Sequence, residues 1–146
     1  MAIFLVNNQS VLPIRPVSIK RRLKVVLTAL GRGDWDVSVL LTDDAGIQKL
    51  NREFRGVDQP TNVLAFNNGP AFPGEKDHHL GDLALSMETV RREARAADRL
   101  VGEIFYFYLV HGALHLVGYD HSLGPEQEAA QEEEQKRLLS LISHGL

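Results

Sequence analysis

The sequence predicts an α+β fold: a mixed sheet of about four strands flanked by about five helices, with a zincin-like site of three histidines carried by a central helix. Three observations lead there. Short β-branched runs alternate with stretches whose apolar residues recur at helical spacing. One segment late in the chain, Val101 to Val117, is apolar almost throughout and long enough for a buried central helix. That segment holds His111 and His115, and His121 follows close behind it.

Ala2 to Val6 reads as a first strand. Val17 to Leu30 places Ile19, Leu23, Val26, Leu27 and Leu30 at helical spacing with basic residues between them, so it is an amphipathic helix with a cationic face, ended at Gly31 and Gly33. Val37 to Leu41 is β-branched and apolar, a second strand. Asp43 or Asp44 can cap a short helix through Ile47, Leu50 and Phe54. Pro60 forces an extended approach to a short strand at Val63 to Phe66, which Asn67 to Pro70 breaks, and a polar loop runs on to His79. Leu80 to Leu85 is a fourth strand. Ser86 can cap a helix from Met87 to Leu100, which carries Arg91, Arg92, Arg95 and Arg99. After the apolar segment, Pro125 opens a last, acidic helix to Ile142.

With 146 residues, 44% of them hydrophobic, the chain has the size and composition of one globular domain, residues 1–146. It contains no cysteine, which excludes disulfides, thiolate metal sites and cysteine nucleophiles. Any metal therefore rests on histidine, carboxylate or water. Zinc is the first expectation for an imidazole-rich site, with nickel, iron and copper as alternatives. The first residues carry no basic start or small-residue cleavage site, and no stretch approaches the roughly 20 apolar residues that span a bilayer. A cytoplasmic protein without a membrane partner is expected.

The net charge of −3 is unevenly placed. Between Arg15 and Arg32 lie Lys20, Arg21, Arg22 and Lys24 with no acid among them, whereas Glu126, Glu128 and Glu132 to Glu134 make the last helix acidic. The basic helix is a candidate contact for phosphates. Lys20, Arg21, Arg22 and Lys24 would grip an RNA backbone without reading its sequence. No aromatic platform for unpaired bases is evident.

The segment His111-Gly112-Ala113-Leu114-His115-Leu116-Val117-Gly118-Tyr119-Asp120-His121 carries the chemistry. Residues four apart share one face of a helix, so the imidazoles of His111 and His115 can converge. Gly118 can end that helix and return the chain with His121 as third ligand. Three neutral imidazoles would hold one tetrahedral ion with an open position, as catalytic zinc sites do. The spacing is that of the extended zincin motif H-E-x-x-H-x-x-G-x-x-H, except that Gly112 stands where a metallopeptidase has its glutamate base.

The same segment resembles the signature of the YbeY-type endoribonucleases, the bacterial rRNA maturation factors. Asn51 to Phe66 is similar to that family's second block and Gly81 to Ser86 to its third, so the resemblance runs from about Val39 through the last helix. It implies a four-stranded α+β fold, one zinc ion on the three histidines, cleavage of single-stranded RNA, and a part in 16S rRNA 3′-end maturation and ribosome quality control on the small subunit. A ribosomal protein or GTPase is a further expected partner. The family's key arginine falls on Arg55. Asn62, Ala65 and Asn67 depart from its usual pattern.

In such a site Arg55 could clamp the non-bridging oxygens of a phosphodiester. Asp82 and Asp120 are candidates for the base, and Asp120 also for a partner that orients a ligand imidazole. Tyr119 is expected to pack, and His78, His79 and His144 to lie in loop and tail. Two rival readings remain at this point: an assembly factor with a structural metal, and, disfavoured by Gly112, a metallopeptidase.

Overall fold

The computed structural model describes residues 2–67 and 79–146, apart from the side chain of His121. In chain order the elements are β1 (Ile3–Asn7), α1 (Pro16–Ala29), β2 (Asp36–Thr42), α2 (Asp44–Arg55), β3 (Val63–Asn67), β4 (His79–Ser86), α3 (Met87–Ala97), α4 (Val101–Leu116), a 3-10 turn (His121–Leu123) and α5 (Pro125–Leu139). The mixed four-stranded sheet and five α-helices are those the sequence predicts.

The sheet runs β1-β2-β4-β3, with β1, β2 and β4 parallel and β3 antiparallel at the edge. Strand alternation sorts the side chains. Val37, Val39, Leu41, Leu83 and Leu85 enter the main core with α1, α3 and α4, while Leu64 and Ala84 pack with Ile47 of α2 on the other face. α4 is the buried centre, with Phe105, Tyr106, Leu109, Val110, Ala113 and Leu114 almost wholly covered. Each such large side chain contributes about 1.5–3 kcal/mol of burial.

Three boundaries differ from expectation. α3 stops at Ala97, because Asp98 turns left-handed (φ 52°) and its N–H bonds back to the carbonyls of Ala94 and Arg95. Leu100 is then the extended residue that caps α4, and Arg99, expected on α3, pairs instead with Glu103 of α4 at 3.0 Å. α5 ends at Leu139, earlier than Ile142. His79, expected in a loop, opens β4 because Asp36 of β2 supplies it with a partner across a register shift. The rest of that expected loop, with His78, lies outside the described residues. Among the described residues no helix is long and apolar enough to cross a membrane.

Candidate metal centre and cleft

The end of α4 is built to reverse the chain. Gly118 has φ 104°, a backbone that side chains resist. Its N–H bonds to the His115 carbonyl at 3.1 Å and that of Tyr119 to the Leu114 carbonyl at 3.0 Å, the paired bonds of a Schellman ending. Asn67 of β3 donates its Nδ2 to the Leu116 carbonyl at 2.7 Å, pinning this helix end to the edge strand. The Oδ1 of Asp120 then caps the 3-10 turn, accepting from the Ser122 N–H at 2.9 Å and its hydroxyl at 2.6 Å. His121 is the first residue of that turn. Asp120 therefore shapes the segment that carries the third histidine.

His111 and His115 meet as their spacing requires, with their Nε2 atoms 3.0 Å apart and rings at 71°. Two imidazole nitrogens on one tetrahedral zinc, at about 2.0–2.1 Å each, stand roughly 3.3–3.4 Å apart. The pair needs to open by only a few tenths of an ångström to hold an ion. Among the described residues no group of three potential ligands surrounds a point, and the side chain of His121 is not one of them.

Behind His111 sits a group that fits the same demand. Gln131 of α5 is 3% exposed, its Nε2 lies 3.3 Å from His111 Nδ1, and its Oε1 is buried without a hydrogen-bond partner. If Nε2 donates to Nδ1, the imidazole proton must sit on the opposite nitrogen, where it would block a metal. Rotating the amide by half a turn brings Oε1 to Nδ1–H, and leaves a lone pair on His111 Nε2 facing His115. A metal selects that second orientation. One turn along α5, Gln135 donates to the Phe107 carbonyl at 2.6 Å and holds α5 on α4.

The histidines line a cleft of about 860 Å³ that follows the edge strand β3. Its walls are the last turn of α2, with Asn51, Phe54 and Arg55, and the end of α4 with Gly118, Tyr119 and Asp120. Gly112 explains how α4 approaches β3. A Cβ there would stand 2.8 Å from Leu83 Cδ2 and 3.2 Å from Val63 Cγ2, so the position faces the sheet and has no room for a glutamate. Arg55 ends α2 and donates through Nη2 to the Ala65 carbonyl at 2.6 Å, with its guanidinium 5.4 Å over the Phe66 ring. The Val63 N–H is taken by Asn62 Oδ1 at 2.8 Å. Burial and Glu93 push the pKa of the Tyr108 hydroxyl up to about 12.

Not every sequence candidate reaches the cleft. Asp82 alternates with Leu83 and so points to the face of the sheet occupied by α2, where its Oδ1 meets His79 Nε2 at 3.0 Å. The basic side chains of α1 are absent from the cleft wall. α1 packs on α4 and on β1, the opposite edge of the sheet from β3. Lys20, Arg21 and Lys24 are exposed, whereas Arg22 binds Ser143 Oγ at 2.7 Å and lies 5.5 Å over Tyr106, tying α1 to the C-terminal tail. Two features went unread in the sequence. Gln131 carries no local signal, since only the packing of α5 on α4 sets it behind His111. Phe54 continued the apolar series of Ile47 and Leu50, yet it is 64% exposed and packs on Phe66 with ring centroids 5.4 Å apart. The two rings, twelve residues apart in sequence, are brought together only where the end of α2 meets β3.

The family profile and the curated relatives give one family. The family profile "Endoribonuclease YbeY" matches residues 6–143. The Endoribonuclease YbeY of Geobacter sulfurreducens is 36% identical over 99% of this chain and 98% of its own length. That of Aquifex aeolicus is 38% identical over 91% of this chain and 87% of its own. The solution structure of TM1509 from Thermotoga maritima superposes with a TM-score of 0.64 at 26% identity, over 94% of this chain and 87% of that one.

Proposed function

The chain belongs to the YbeY endoribonuclease family, and from that premise we propose that it hydrolyses single-stranded RNA at the β3 cleft, in 16S rRNA 3′-end maturation, with one zinc ion held by His111, His115 and His121. The observation that carries the reading is the convergence of two imidazole Nε2 atoms, 3.0 Å apart, in the cleft that also receives Arg55. When bound, zinc supplies a double positive charge that lowers the pKa of a water and draws a phosphate oxygen.

The protein groups do the rest. Arg55 spends one of its five N–H donors on Ala65 and keeps the others for the oxygens of a phosphodiester as their charge grows. The bond to Ala65 and the stack on Phe66 fix the guanidinium before substrate arrives, so little rotamer entropy is lost on binding. Asp120 is the carboxylate among the described residues of the cleft wall, and is the candidate for proton removal or for orienting a ligand imidazole. Asp82, absent from that wall and engaged by His79, is set aside for that role.

A peptide substrate fits poorly. Strand addition to β3 needs its outward backbone groups, but Asn62 takes the Val63 N–H and Arg55 binds the Ala65 carbonyl. Gly112 leaves no base in the peptidase position. The test uses untagged, zinc-loaded protein and a single-stranded RNA. Wild type should contain about one zinc and cut the strand, and His115→Ala should lose most of the metal and the cutting together. Full zinc in His115→Ala would sink the ligand set. Zinc-loaded wild type that binds ribosomal subunits but never cuts RNA would replace the nuclease by an assembly factor.

A further inference from the structure

We propose that Phe54, backed by Phe66, is a stacking platform for one unpaired nucleobase of the RNA in the cleft; the proposal rests on the reading of that cleft as an RNA site. Phe54 lies on the last turn of α2 and lines the same cavity as His111 and His115. It is 64% exposed, the most exposed phenylalanine among the described residues. Nothing in the core needs it there, since Ile47 already covers Leu64 and Ala84 from α2.

The ring is nevertheless held in place. Phe66 packs against it at 5.4 Å with planes at 60°. Arg55 lies 5.4 Å over Phe66, and Arg55 is itself anchored to the Ala65 carbonyl. The order is thus guanidinium, Phe66, Phe54, each supported by its neighbour. A rigid aromatic surface beside a cation fits a nucleotide: the ring takes the base and the guanidinium takes the phosphate.

The consequence is a preference that Arg55 and a metal cannot supply. Phosphates are alike in single and double strands, but a base can lie on Phe54 only if it has left its own stack. Every base has a π-face, so the platform selects single strands and tolerates sequence. The proposal makes Phe54 the residue that rejects duplex.

The test compares wild type, Phe54→Ala and Phe54→Trp on a short single-stranded oligoribonucleotide, on the same strand in a duplex, and on strands with one abasic nucleotide at successive positions. Zinc content and Tm are measured in parallel, and Phe54 is exposed enough for both variants to fold. Phe54→Ala should bind the single strand roughly ten- to a hundredfold more weakly. Its affinity for duplex and its salt dependence should be unchanged, since no charge is removed. Phe54→Trp should restore binding. One abasic position should weaken wild type as much as Phe54→Ala does, and should not weaken Phe54→Ala further. Wild-type affinity in Phe54→Ala, or a loss shared equally by single strand and duplex, overturns the platform. So does a loss that tracks lower zinc or Tm, which would make Phe54 a packing residue. Wild type that binds without cutting removes the nuclease reading, while the abasic comparison still decides the platform.

Discussion

Two polar clusters in this molecule are built from similar parts and end in opposite states. The first joins the N-termini of α2 and α3. Asp44 Oδ1 accepts from the hydroxyls of Ser86 and Thr89, both at 2.6 Å, and its Oδ2 accepts from Arg92 at 3.0 Å. Glu88 returns the favour by accepting the Asp44 N–H at 3.0 Å. The knot closes on itself. The second cluster, at the junction of α4, α5 and β3, brings two imidazole nitrogens face to face and buries a glutamine oxygen with no partner. A closed cluster satisfies its groups within the fold and so belongs to stability. The second cluster instead holds two hydrogen-bonded imidazole nitrogens at nearly the separation that one tetrahedral zinc requires.

If that contrast is right, the two clusters should fail differently. The largest effect is expected at the open one. Arg55→Lys keeps the charge and loses the planar fork, so the protein should fold, hold zinc and bind RNA, yet cut it roughly 100- to 1000-fold more slowly in a single turnover at saturating RNA. Loss of zinc or of the fold in this variant would move Arg55 to the structural side of the comparison, through its bond to Ala65.

The closed cluster should respond in stability alone. Burial by itself would raise the Asp44 carboxyl, but the bonds from Ser86, Thr89 and Arg92 outweigh it and hold the group below its ordinary value. A depressed folded value means stabilisation that is present above the unfolded carboxylate range and lost as pH falls through the folded value. Asp44→Asn should therefore cost about 2 kcal/mol in denaturant unfolding at neutral pH. The difference from wild type should shrink below about pH 4. Zinc content and cutting should not change. A pH-independent loss would show that shape, and not the charge, carries the knot.

Gln131→Leu sharpens the contrast because its two readouts should separate. Zinc affinity, measured by competition with a chelator, should fall roughly 10- to 100-fold, since the acceptor for His111 Nδ1–H is gone. The zinc-free protein should change little in stability, because the partnerless buried oxygen is removed together with the amide contact to His111 Nδ1. Unchanged zinc affinity would leave Gln131 a packing residue. The smallest effect concerns how far the open region extends. Replacing Lys20, Arg21 and Lys24 by glutamine spares Arg22, which ties down the tail. With long RNA the slope of log affinity on log salt should fall by up to about 2, from roughly 0.7 per contact, and with an RNA that fills only the cleft it should not change. Equal slopes at both lengths would make α1 a solvated face.

Much of this was legible in the sequence, and for a common reason. Helical spacing alone puts His111 and His115 on one face, and a glycine at 118 is what a Schellman ending requires, so a local rule led to each. The caps at Asp43 and Ser86 are local in the same way. What the sequence left open depends on contacts between distant segments. It showed Gly112 only as a missing base, and the packing of α4 on Val63 and Leu83 shows why no side chain fits there. It ranked Asp82 with Asp120, and strand alternation sends Asp82 to the opposite face of the sheet. It placed Phe54 in the apolar series of α2, where the ring is 64% exposed, and did not single out Gln131, which is buried. The chain by itself determined its elements, the convergent histidine pair and the family. Tertiary structure decided which polar groups meet, because satisfaction belongs to pairs of atoms that only packing brings together.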